Sequence, residues 1–195
     1  MFEIIKKAFQ WVTNDQISKE ALVIEEKNYC ETRDIFVIQL NKMITWLLAN
    51  TKIPEDSIYL VSAIAGEIGN NSFDHNLGNW PDVMGIFFAY EINDNNLKIV
   101  LADRGNGVFA TLKRVKPELE TDAEALWVAF NEKISGRAPE NRGNGLKFVK
   151  ESIKKTNMHL LFRSGVVQAE LNEIIKISTV EKIQGCLAVI SATFN

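Results

Sequence analysis

The chain has 195 residues, 46% of them apolar and 24% charged, with a formal net charge of −3. That composition suits one domain with a sizeable core, is too apolar for a disordered chain, and lacks the basic excess of a nucleic-acid binder. The two cysteines, Cys30 and Cys186, form no CxxC motif and stand far apart, which argues against a disulfide framework or a zinc site and fits a reducing cytoplasm.

Taken in chain order, the first 12 residues, MFEIIKKAFQWV, place Phe2, Ile5, Phe9 and Val12 along one face. They lack the layout of a signal peptide, and no apolar run reaches the roughly 20 residues of a membrane span. The expectation is an N-terminal helical extension over 1–20, docked on the domain or on a twin subunit as a homodimer contact. Residues 21–26, ALVIEE, read as a short strand, and 32–49 as a helix with Ile35, Ile38, Met43, Trp46 and Leu47 near helical spacing. After Pro54 a second helix spans 57–75, with Val61, Ile64, Ala65 and Ile68 as its buried stripe.

Residues 83–92 and 97–102, joined by NDNN, carry a hairpin signal. A short helix over 109–115 and a longer one over 122–132 follow, the second opening on Thr121 and Glu124 at capping-box spacing. Residues 134–142 form a loop, 143–156 a helix, and 158–163, 166–171, 174–179 and 186–193 strands. Helices, a hairpin, helices and then strands predict a single α/β domain: a two-layer sandwich whose mixed, mostly antiparallel sheet is covered on one face by helices.

Three stretches stand out chemically. In GEIGNNSFDH, residues 66–75, poor helix formers and polar groups crowd the end of a helix. Glu67, Asn71 and His75 are spaced i, i+4, i+8 and spread over about 80° of arc, with Asp74 one step round. A carboxylate there can take a proton, and an amide oxygen can ligate a hard cation. Gly66 and Gly69 leave room for a close approach. In LADRGNGV, residues 101–108, Asp103 at a strand end precedes two glycines; its carboxylate can accept from an amino group, beside space for a flat ring. In RGNGLKFVKE, residues 142–151, two glycines before a helix leave backbone N–H groups suited to phosphate, with Arg137, Arg142 and Lys147 adding positive charge. Read separately, these are equally an ordinary polar helix face, a turn and a loop. Neither GxxxxGK[ST] nor GxGxxG occurs.

In this order the three stretches resemble the N, G1 and G2 boxes of the GHKL ATP-binding superfamily: gyrase-type topoisomerases, heat-shock chaperones, histidine kinases and mismatch-repair ATPases. ExxxN at Glu67–Asn71, DxGxG at Asp103–Gly107 and GxGL at Gly143–Leu146 carry the resemblance. It implies the Bergerat-type fold and a Mg-ATP site: Asn71 on Mg²⁺, Asp103 on the adenine amino group, Gly105 and Gly107 beside the base with Val108 next to them. Arg142, Gly143, Asn144, Gly145, Leu146 and Lys147 would lie around the phosphates, Glu67 would be the base, and 134–142 the lid. Asp74 and His75 complete the first box. The layout is similar to that of the anti-sigma-factor serine kinases, although Asp74 is shared with gyrase-like members.

The only histidines, His75 and His159, lie in the first box and in an expected strand. Autophosphorylation on histidine is therefore not expected, and a transferred phosphoryl group goes to a protein partner or to water. The implied function is a regulatory Ser/Thr-type protein kinase or an ATPase acting on a partner protein. The alternatives are a non-catalytic ATP-dependent binding switch, the ATP-binding half of a two-component system with its acceptor on another chain, or a degenerate scaffold.

Overall fold

The computed structural model describes residues 3–13, 28–133 and 145–194. Its elements are α1 (Glu3–Thr13), β1 (Tyr29–Cys30), α2 (Arg33–Asn50), α3 (Glu55–Asn76), β2 (Ile86–Asn93), β3 (Asn96–Asp103), α4 (Gly107–Lys113), α5 (Asp122–Asn131), α6 (Gly145–Lys154), β4 (Met158–Ser164), β5 (Val167–Leu171), β6 (Ile175–Thr179) and β7 (Cys186–Thr193). The sheet has seven strands in the order β1-β2-β3-β7-β4-β5-β6. Every described pairing is antiparallel, so the expected mixed sheet is corrected to an antiparallel one. The expected strand over 21–26 lies outside the described residues.

Local chemistry sets the element ends. The Thr32 side chain caps α2 by accepting the Ile35 N–H, and Thr121 with Glu124 forms a reciprocal capping box at α5. The β2–β3 hairpin turns through Asp94, whose φ of 54° is tolerated by a short polar side chain. Side chains alternate across the pleat. On one face Ile86 and Phe88 of β2, Leu97, Ile99 and Leu101 of β3, Leu160 and Phe162 of β4, and Ala188 and Ile190 of β7 join the main core with α2, α3, α5 and α6. Phe87, Ala89, Val100, Ala102, Leu187 and Val189 face the other way and meet Ala8, Trp11 and Val12 of α1.

The expectation of helices on one face is thus incomplete: α1 docks on this domain's second face. Of its expected stripe, Val12 is buried, Ile5 and Phe9 are partly buried, and Phe2 lies outside the described residues. Gly66 and Gly69 also serve a different end from the one expected. A Cβ on Gly69 would stand 2.3 Å from the Phe36 ring and one on Gly66 3.5 Å from Leu40; what approaches closely there is α2. No helix among the described residues is long and apolar enough to cross a membrane.

Placing β7 between β3 and β4 aligns three strand ends. Asp103 pairs with Cys186, and Cys186 with Ser164, so three polar side chains stand in a row at one edge of the main core, facing the C-terminal half of α3.

Candidate functional site

The site is a hollow of about 1050 Å³, counted out to its open mouth. Ile68, Asn71, Ser72, Asp74, His75 and Asn76 of α3 form one wall, with Asp103, Gly107 and Val108 on the turn from β3 to α4, and Gly145 and Leu146 opening α6. Leu101, Phe162 and Ala188 give an apolar floor, and Thr111, Leu112 and Ala129 close a side. Three segments well separated in sequence thus meet at one cavity, mostly apolar with a few convergent polar groups, the usual make-up of a ligand site.

At the α3 wall, Glu67 is exposed and stands beside the mouth rather than in the lining. A Cβ on Gly145 would be 2.6 Å from Glu67 Oε2 and 3.3 Å from Asn71 Nδ2. Glycine at 145 lets the start of α6 sit this close to the carboxylate and amide without displacing the Glu67 side chain. Asp74, three residues beyond Asn71, pairs with Arg33 in the first turn of α2.

Asp103 is 2% exposed. Its Oδ2 accepts from Ser72 Oγ at 2.7 Å and its Oδ1 from the Gly105 N–H at 2.8 Å. Burial pushes its carboxyl pKa up; the hydrogen bonds from Ser72, Gly105 and Cys186 oppose that shift without cancelling it. Behind it, Ser164 Oγ accepts the Val108 N–H at 2.9 Å and donates to the Gly185 carbonyl at 3.2 Å. The Cys186 thiol lies 3.7 Å from Ser164 Oγ, and its pKa is well above the ordinary thiol range, first through burial and then through the charge of Asp103.

Of the residues expected at a site, Asn71, Asp74, His75, Asp103, Gly107, Val108, Gly145 and Leu146 line the hollow, and Glu67 adjoins it. Gly105 sits one layer back: a Cβ there would stand 2.1 Å from Asn76 Nδ2. Lys147 is exposed on α6 and outside the lining. Arg142, Gly143 and Asn144, with the expected lid over 134–142, lie outside the described residues. Sequence reasoning missed Ser72, Asn76 and Thr111 and took Cys186 as plain strand interior. Ser72 and Asn76, four residues apart on the wall of the same helix, were the available signal.

Among the described residues no group of three or more His, Cys, Asp or Glu could hold a metal ion. The polar groups can hold an amino group at Asp103 and an anion near the start of α6, and can accept a proton at Glu67. Compared with protein-family models and with curated proteins, the sequence finds no match in either.

Proposed function

We propose that this chain is a Mg-ATP-binding domain of GHKL type with the Bergerat fold, acting as a regulatory Ser/Thr-type protein kinase or ATPase on a partner protein. One observation carries the reading: the described residues of the three boxes, read separately in the sequence, meet at or beside a single hollow. A buried acid at the end of a strand, an Asn–Glu pair on a helix and a glycine opening another helix are the parts such a site requires.

The residues present fit the implied groups. Asp103 would accept from the exocyclic amino group of the base, above the apolar floor of Leu101, Phe162 and Ala188. The amides opening α6 at Gly145 and Leu146 would face the phosphates, where unpaired helix N–H groups favour anions. Asn71 would supply a protein oxygen to Mg²⁺, a cation that keeps waters and ligand oxygens around one or two protein donors. When bound, Mg²⁺ neutralises charge on the phosphate oxygens.

Glu67, next to Gly145, would take the proton of an incoming Ser/Thr hydroxyl or water. The new O–P bond forms on that oxygen as the bond to ADP breaks. Positioning and electrostatics carry most of such a transfer.

The experiment is incubation with γ-labelled ATP and candidate partner proteins, wild type beside Glu67→Ala. Label moved by wild type and lost in the variant supports the reading. Equal transfer by both removes Glu67 as the base. Tight Mg-ATP binding by wild type without any transfer replaces the enzyme with a nucleotide-dependent binding switch.

A further inference from the structure

One peptide group links the second face of the sheet to the wall of the hollow. The Gly105–Asn106 peptide is held from both sides: its carbonyl accepts from Gln184 Nε2 at 2.7 Å, and its N–H donates to Asn76 Oδ1 at 2.9 Å. In a trans peptide these two groups point in opposite directions, so Gln184 and Asn76 clamp the plane between them. Asn76 lines the hollow. Gln184 is in turn bound to α1, its backbone N–H donating to the Val12 carbonyl at 3.0 Å.

A second link runs alongside. Arg104, 5% exposed, follows the Asp103 of the hollow. Its Nη1 donates to the Trp11 carbonyl at 2.6 Å, while Nε and Nη2 meet Asp82 Oδ2 at 2.8 and 2.6 Å. The carbonyls in the last turn of a helix have no partners within it and carry the negative end of its dipole. The end of α1 is therefore a suitable acceptor for a guanidinium and an amide N–H. Trp11 and Val12, which supply those carbonyls, are themselves buried against the sheet.

We propose that Gln184 and Arg104 are positioning residues that fasten the 103–106 turn to α1, so that ligand affinity in the hollow depends on α1 being docked. Residue 103 is held through its neighbour's side chain, and the Asp103 carboxylate through the Gly105 N–H that belongs to the same clamped turn. Undocking α1 removes the acceptors of Arg104 Nη1 and of the Gln184 N–H, and frees the turn while the sheet's main core stays intact. A partner that draws α1 away would then weaken ligand binding from the opposite side of the sheet.

The test uses the full chain with three variants and two readouts. Gln184→Leu removes the donor to the Gly105 carbonyl, and Gln184→Lys restores a donor with the reach to make that bond. Ala8→Asp places a charge where α1 is fully buried and drives the helix off the sheet. The first readout is hydrogen exchange of the Asn106 amide, measured against the β3 amides as an internal control. The second is calorimetry with Mg-ATP, which alone rests on the proposed function.

The expected result is Asn106 exchange roughly two- to tenfold faster in Gln184→Leu and Ala8→Asp, the loss a single hydrogen bond implies. Mg-ATP affinity falls to a similar degree, and both readouts recover in Gln184→Lys. Unchanged Asn106 exchange in Gln184→Leu overturns the proposal, as does faster exchange with unchanged affinity. Should Ala8→Asp lose protection throughout β3, Gln184→Leu decides. Faster exchange in a protein whose wild type does not bind Mg-ATP keeps the clamp and overturns the nucleotide reading instead.

Discussion

From Ile58 to Ile68, α3 buries Ile58, Val61, Ile64, Ala65 and Ile68 in the main core. From Asn71 to Asn76 the same helix turns Asn71, Ser72, Asp74, His75 and Asn76 toward the hollow. The first half is fixed by packing, with Gly69 at the boundary admitting the Phe36 ring. The second is fixed by hydrogen bonds and charge: Ser72 to Asp103, Asn76 to Asn106 and Arg33 to Asp74. Changes to the buried apolar side chains should therefore cost stability, and changes to the polar side chains at the hollow, with exposed Glu67 beside them, should cost site chemistry at less expense to the fold.

The comparison breaks most visibly at Phe36, which is fully buried and packs edge-on to Phe88 at 5.4 Å between centroids. Phe36→Ala is expected to lose about 3–5 kcal/mol in chemical denaturation. A loss under about 1 kcal/mol would mean that α2 and α3 are not held as described. Glu67→Ala should show the opposite pattern. Its side chain is exposed, so stability should stay within about 0.5 kcal/mol of wild type, while phosphoryl transfer falls by about a hundredfold or more if it is the base.

Asp103→Asn sharpens the distinction further. Removing a charged acceptor should weaken Mg-ATP binding by roughly ten- to a hundredfold in calorimetry, the range for hydrogen bonds to charged groups. The same variant carries a pH signature. The folded carboxyl pKa is raised above its unfolded value, so the stability from this group is full below about pH 4 and is lost as pH rises through the folded pKa. Wild type should lose stability relative to Asp103→Asn as pH climbs from about 4 toward neutrality. A difference independent of pH would contradict the buried setting of Asp103.

Ser72→Ala is the finest probe. Losing the 2.7 Å bond to Asp103 should cost about 1.5–3 kcal/mol, the range for a hydrogen bond to a charged group. It should also move the Asp103 carboxyl pKa further up, observable by carbon-detected titration, because a bond to the charged form is gone. A downward shift would reverse the assigned donor.

Much of this was legible in the sequence. The apolar stripe of α3, the hairpin, the capping box at Thr121 and the four strands of the last third all appear within a few residues of their expected places, because each rests on local periodicity or local chemistry. What escaped depended on tertiary neighbours. Nothing near Gly69 in sequence says that Phe36 fills the space beside it, and nothing near Arg104 says that its partners are Asp82 and the carbonyl of Trp11. Cys186 reads locally as strand interior; only the pairing of β7 with both β3 and β4 brings it beside Asp103 and Ser164.

The most direct test of the central claim is a chemical-shift titration of the full chain with Mg-ATP. The account predicts that Asn71, Gly107 and Gly145 shift together and saturate at one common affinity, while amides around α2 stay still. Shifts confined to one of the three segments, or none at all, would contradict a shared nucleotide pocket.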